Sequence, residues 1–346
     1  MHTHMRIKSV NTLSGGEILA EPILTKEKEI LIPKGTILKE DYIPVIFSLG
    51  IETLMVEDPY EHLEKPNTII NRSRLESIVE RVQQLMERHI YHSNKCLYGF
   101  EMIANEIVKE ISEMPEDVII DMNERTANLY EHTVMVTLLS TSIARKLRLD
   151  RKRQYNVAVG CLLHDIGLRY ITTKYVDRNW ENADSVDIFE YKKHTILGYS
   201  ALDEENWIPD ISKKMILSHH EKLDRSGFPM HQKNSEMECK IIQTCDSFDC
   251  YISGMECQRM TVQDALQKIK KEAGIKFEPK IVDKLVSMIA LYPVGTTVKM
   301  DNETEGVVIS QTVNPETPII LVLNRESENQ KHNLMLEKDI SILQIV

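Results

Sequence analysis

The chain has 346 residues, 42% of them hydrophobic and 27% charged, with a formal net charge of −11. That length accommodates two or three domains with a sizeable core, and the charge disfavours a duplex nucleic-acid partner, which needs a basic field. No apolar run approaches the roughly 18 residues that span a bilayer, and six cysteines without a secretory h-region point to reduced thiols in the cytoplasm.

Residues 6–57 mix short apolar runs with turn signals: SGGE, ILIPKGTIL and IPVIFSLGIETLMVED. Gly-Gly and Pro-Lys-Gly punctuate short strands, and DYIPVIFSLG reads as a short helix ending at Gly50, so the expectation is a small α/β module. Residues 58–97 read as a linker, PYEHLEKPN, followed by a helix. In that helix Leu75, Ile78, Val79, Val82 and Leu85 recur at three- and four-residue steps. The same spacing continues over 98–291 in NEIVKEISEM, TVMVTLLSTSIARKLRL, NVAVGCLLHDIG, VQDALQKIKKEAG and PKIVDKLVSMIALY. After Tyr292-Pro293 the texture becomes β-branched in VGTTVKM, EGVVIS, PIILVLN and SILQIV, which predicts a small β module over 292–346. The fold class expected is therefore mainly α, with an N-terminal α/β module and a C-terminal β module.

Seven residues of the helical region carry metal-ligating chemistry: His132, His164, Asp165, His194, His219, His220 and Asp246. Helices that converge on one cavity are how bundles build metal sites. Neighbouring residues on a helix point about 100° apart, so the adjacent pairs His164-Asp165 and His219-His220 suit two neighbouring ions better than one. Asp165 is the best bridge, because a carboxylate can give one oxygen to each. Imidazole and carboxylate without thiolate suit iron or manganese, with zinc also compatible. His62, His89, His92, His231 and His332 are read as ordinary core or surface groups, and Cys239, Cys245, Cys250 and Cys257 as small buried hydrophobes.

Five segments resemble the motifs of the HD-GYP family of cyclic-dinucleotide phosphodiesterases, a branch of the HD superfamily: EHTVMV, LLHDIG, KKHTILG, HHEKLDRSGFP and DSFD. The resemblance covers approximately residues 121–290 and implies an HD-type helical bundle. It makes all seven residues ligands of two divalent ions, with His164 and Asp165 at the catalytic centre. It implies hydrolysis of a cyclic dinucleotide such as cyclic di-GMP by a bridging hydroxide. Some members add a glutamate four residues before the first histidine, where this chain has Asn128. The lysine after HDIG is Leu168, the first glycine of D-G-S-G-Y-P is Arg225 and its tyrosine Phe228, and the alanine of D-x-F-D-A is Cys250. The R-P-Y-R stretch is replaced by GMECQRM, with Arg259 a loose match. Arg169, Lys222 and Arg225 are the candidates to replace the lost cations at the substrate. These departures leave two alternatives open: a catalytically weak signalling module that binds a nucleotide, a protein partner or a second copy of itself, and a phosphohydrolase of a different nucleotide.

Overall fold

The computed structural model describes residues 5–10, 13, 17–24, 30–48, 51, 53–57, 64–92, 97–176, 178–322 and 330–345. His62 and Gly50 lie outside them. The chain divides into two compact units, residues 1–64 and 65–346. In the first unit, β1 (Met5–Ser9) pairs antiparallel with β4 (Thr53–Glu57), and β2 (Ile23–Leu24) pairs with β3 (Ile30–Ile32). The short helix α1 (Tyr42–Ser48) contributes Ile46 to a core shared with Val10, Leu19, Leu38 and Val56.

Among the described residues, the second unit is built on ten α-helices. Helix α2 (Arg72–His92), set apart by the sequence reading together with a linker over 58–97, buries Ile78, Val82 and Met86 in the same core as α3 (Tyr98–Glu113). The centre of the unit is α4 (Leu129–Lys146), whose small polar residues Thr133, Thr137 and Ser142 each return their hydroxyl to the carbonyl four residues earlier. Those internal bonds allow polar side chains to be buried on a helix that has neighbours on nearly every side. Asn128 caps α4 by accepting from the backbone N–H groups of Tyr130 and Glu131, a bond of about 1 kcal/mol. Helix α5 (Arg151–Leu163) packs against α4 and is followed by a 3₁₀ segment, Ile166–Tyr170. Next come α6 (Ser185–Lys192), α7 (His194–Leu202), α8 (Asp210–Ser218), α9 (Met237–Ser253), α10 (Val262–Lys271) and α11 (Pro279–Val286).

The chain then enters a five-stranded antiparallel sheet. Its order is β8 (Lys331–Asn333), β7 (Ile319–Val322), β6 (Glu305–Ser310), β5 (Thr297–Met300) and β9 (Ile342–Ile345). This sheet is tied to the helices through the buried Asp121, which accepts from the backbone N–H groups of Asn67 and Val294 and from the Gln311 amide, each at 2.8 Å. No helix among the described residues is long and apolar enough to cross a membrane.

Candidate metal centre

All seven predicted ligands meet at one buried place in the second unit. His132, on α4, and the α9 residue Asp246 come from helix interiors, whereas the others sit at helix ends. His164 caps the C-terminus of α5, Asp165 follows it, His194 opens α7 directly after α6, and His219-His220 follow α8.

A helix C-terminus leaves carbonyl groups without intrahelical partners. Three of the histidines use them: Nδ1 of His164, His194 and His219 faces the carbonyls of Cys161, Tyr191 and Ile216 at 2.7, 2.7 and 2.9 Å. A carbonyl only accepts, so each Nδ1 carries the proton and each Nε2 offers its lone pair to the centre. His132 is held differently, with Nδ1 2.7 Å from the Asp249 carboxylate, which is itself clamped by the Arg125 guanidinium.

The Nε2 atoms crowd together. His132 and His164 are 3.3 Å apart, His194 and His219 3.3 Å, and His194 and His220 3.2 Å. Between these groups lies Asp165. Its Oδ2 is 3.4 Å from His132 Nε2 and 3.3 Å from His164 Nε2, while Oδ1 is 3.4 Å from His219 Nε2 and 3.7 Å from His194 Nε2. Asp246 Oδ1 completes the first group, 3.2 Å from His132 Nε2 and 3.6 Å from His164 Nε2. Three sets result that could hold an ion: His132, His164 and Asp246; Asp165, His194, His219 and His220; and His220, Asp246 and Glu256.

This donor set fits divalent ions. Both oxygens of Asp165 and Oδ2 of Asp246 are buried without a hydrogen-bond donor, an arrangement that costs several kcal/mol unless a cation balances it. Two nitrogen ligands about 2.1 Å from one ion are themselves roughly 3.0–3.4 Å apart, which is the spacing found here.

Without an ion, protons take its place. Burial opposes the charge on His164, but Asp165 and Asp246 outweigh it and push its pKa up to about 10. His132 is likewise raised well above the usual range, burial being overcome by the adjacent carboxylates of Asp165, Asp246 and Asp249. On the other side burial dominates. It lowers His194 to about 4, helped by His220, and holds His220 well below its ordinary value, helped by His219.

The proposed substrate cations are placed differently, with Lys222 in electrostatic reach of Asp246 and His220. Arg169 pairs with Glu87 at 3.0 Å, Lys222 donates to Ser247 Oγ at 2.8 Å and lies over the Phe277 ring, and Arg225 is exposed on a loop at φ 65°. Leu168 is buried beside Leu129, Tyr191, Cys250 and Met255. Phe228 stacks on the His220 ring at 4.5 Å, and Lys192 Nζ sits 5.4 Å from its centroid.

Three residues with roles here were not singled out by the sequence reading. Asp249, three residues after Asp246 on one helix face, orients His132, and the D-S-F-D spacing was the available signal. Glu221 accepts from the backbone N–H groups of Met230 and Gln232 at 2.6 and 2.8 Å and so closes the loop of the HHE motif. Glu256 projects its carboxylate toward His220. Burial and the nearby Asp165 charge raise its pKa to about 7.

Residues 113–281 match the family model of the HD domain. A cyclic di-GMP phosphodiesterase of Pseudomonas aeruginosa is 24% identical to this chain over 217 residues, covering 60% of this chain and 52% of that protein. Another cyclic di-GMP phosphodiesterase, from Thermotoga maritima, is 25% identical over 215 residues, covering 58% of each. The chain thus spans little more than half the length of these curated relatives. Among solved structures, a HDG"Y"P protein from Bdellovibrio bacteriovorus aligns with a TM-score of 0.48 and 15% identity, covering 82% of this chain and 98% of that one.

Proposed function

We propose that this HD domain holds two divalent ions and hydrolyses a phosphodiester bond of a cyclic dinucleotide. The observation that carries this is Asp165, buried between two imidazole groups with one oxygen toward each. The ligands are His132, His164 and Asp246 on one side and His194, His219 and His220 on the other, with Asp165 between them. Nitrogen and oxygen donors without thiolate favour iron or manganese, with zinc also compatible. When bound, the ions supply a water nucleophile at neutral pH and neutralise charge on the phosphate.

The protein's own residues do the positioning. The Nδ1 anchors hold each imidazole in one tautomer and one orientation, so the lone pairs need no reorganisation. The apolar collar of Leu168, Tyr191, Met255 and Phe228 limits water at the centre. Cyclic di-GMP is the first substrate to test, because the relatives from Pseudomonas aeruginosa and Thermotoga maritima are named for it. The described cysteines are all free, which supports a reducing compartment, and the cytoplasm is the one proposed.

Leu168, buried where the resemblance expects a lysine, favours a second reading in which the domain binds its nucleotide but turns it over slowly. One experiment separates the two. Protein loaded with iron or manganese is incubated with cyclic di-GMP, cyclic GMP-AMP and linear dinucleotide, and products are followed by chromatography. Metal-dependent linear product is expected, and Asp165→Ala should abolish it together with at least one bound ion. Saturable binding without product by the fully metallated protein would leave the second reading standing. An Asp165→Ala variant with unchanged metal content would overturn the bridging assignment.

A further inference from the structure

Glu256 lies in the loop after α9, in the stretch GMECQRM. Its side chain is 4% exposed, with Oε2 3.3 Å from His220 Nε2 and Oε1 3.9 Å from His194 Nε2. Oε1 has no hydrogen-bond donor. Among the described residues the imidazoles it approaches are these two, whose Nε2 atoms also face the second metal-ligand set. His220, Asp246 and Glu256 themselves form a group whose ligand atoms could hold an ion.

The backbone of Glu256 is fixed from outside. The Trp180 indole N–H donates to its carbonyl at 2.5 Å, and Trp180 stacks on Tyr191 with ring centroids 4.2 Å apart. The Cys250 thiol reaches Oε2 at 3.6 Å. A buried carboxylate aimed at imidazole lone pairs, with a weak thiol as its remaining donor, is costly unless a cation lies between them.

Charge points the same way. Two divalent ions bring four positive charges, and Asp165 with Asp246 offsets two of them. A third carboxylate reduces the excess in a place where solvent cannot. We propose that Glu256 is an eighth ligand of the centre, donating on the His220 side, where its carboxylate forms with His220 and Asp246 a group that could hold an ion. This rests on the metal centre proposed above.

The test uses the full chain loaded with Mn(II), comparing wild type with Glu256→Gln and Glu256→Ala. Manganese per chain is measured after dialysis against graded chelator, and the bound ions are examined by electron paramagnetic resonance. Glutamine keeps the volume and removes the charge, and unchanged circular dichroism of the metal-free variants establishes that they fold. Wild type is expected to retain two ions. Both variants should hold one of them at least about tenfold more weakly, with an altered resonance spectrum. Two ions of wild-type affinity and spectrum in both variants would overturn the role of Glu256 while leaving the centre intact. A wild-type chain that binds no manganese, iron or zinc would overturn the centre itself.

Discussion

His132 is aimed by a carboxylate where its three neighbours are aimed by carbonyls, and that difference is testable at a single atom. Asp249 accepts from His132 Nδ1 while bonded to the Arg125 guanidinium. An ionised acceptor raises the basicity of the imidazole as well as fixing its tautomer. Asp249→Asn should therefore weaken metal binding by roughly 10- to 100-fold in a direct titration. An unchanged affinity with a lowered melting temperature would reduce Asp249 to a partner of Arg125. The seven candidate ligands were legible because histidine and aspartate at motif spacing have few structural uses in combination. Asp249 and Glu256 were harder to see, since an acid near a motif is usually solvated and only the fold shows both to be buried.

At the level of elements, the pairs His164-Asp165 and His219-His220 are presented by helix ends rather than by helix faces. Apolar periodicity locates a helix but does not show which carbonyls its last turn leaves unpaired, so the Nδ1 anchors were invisible in the sequence. The glycine of HDIG belongs to the same device. A Cβ on Gly167 would lie 1.8 Å from the His194 carbonyl oxygen, so the 3₁₀ segment passes the start of α7 only without a side chain. Gly198, across the same contact, would place its Cβ no closer than 3.3 Å to any neighbour. Gly167→Ala should cost on the order of 1–3 kcal/mol and displace His194, lowering both melting temperature and metal content, whereas Gly198→Ala should change each much less. Equal effects at the two positions would contradict a specific role for the close approach. Strand β8 escaped the sequence reading for another reason: KHN has no apolar alternation, and its pairing with β7 is what makes it a strand.

Across the whole molecule, the proposed centre would couple metal binding to protons. In the metal-free protein His164 has a pKa raised to about 10, above the roughly 6.5 of an unfolded histidine. Its contribution to stability is thus complete below pH 6.5 and is lost as pH rises through 10. His194, lowered to about 4, has the opposite sign: its contribution is present above pH 6.5 and is lost as pH falls through 4. The metal-free chain should accordingly melt highest near pH 7 and lower at both pH 5 and pH 9.5, as followed by circular dichroism. A loaded centre needs Nε2 lone pairs on all its histidines, so His132 and His164 must give up the protons they hold at pH 7. Calorimetric titration of manganese in buffers of different ionisation enthalpy should then register the release of about two protons per chain. The alkaline loss of stability should disappear once the ions replace those protons. A titration that releases no protons, or a metal-free melting temperature that climbs steadily from pH 5 to 9.5, would show that the two carboxylates do not hold His132 and His164 protonated in the empty centre.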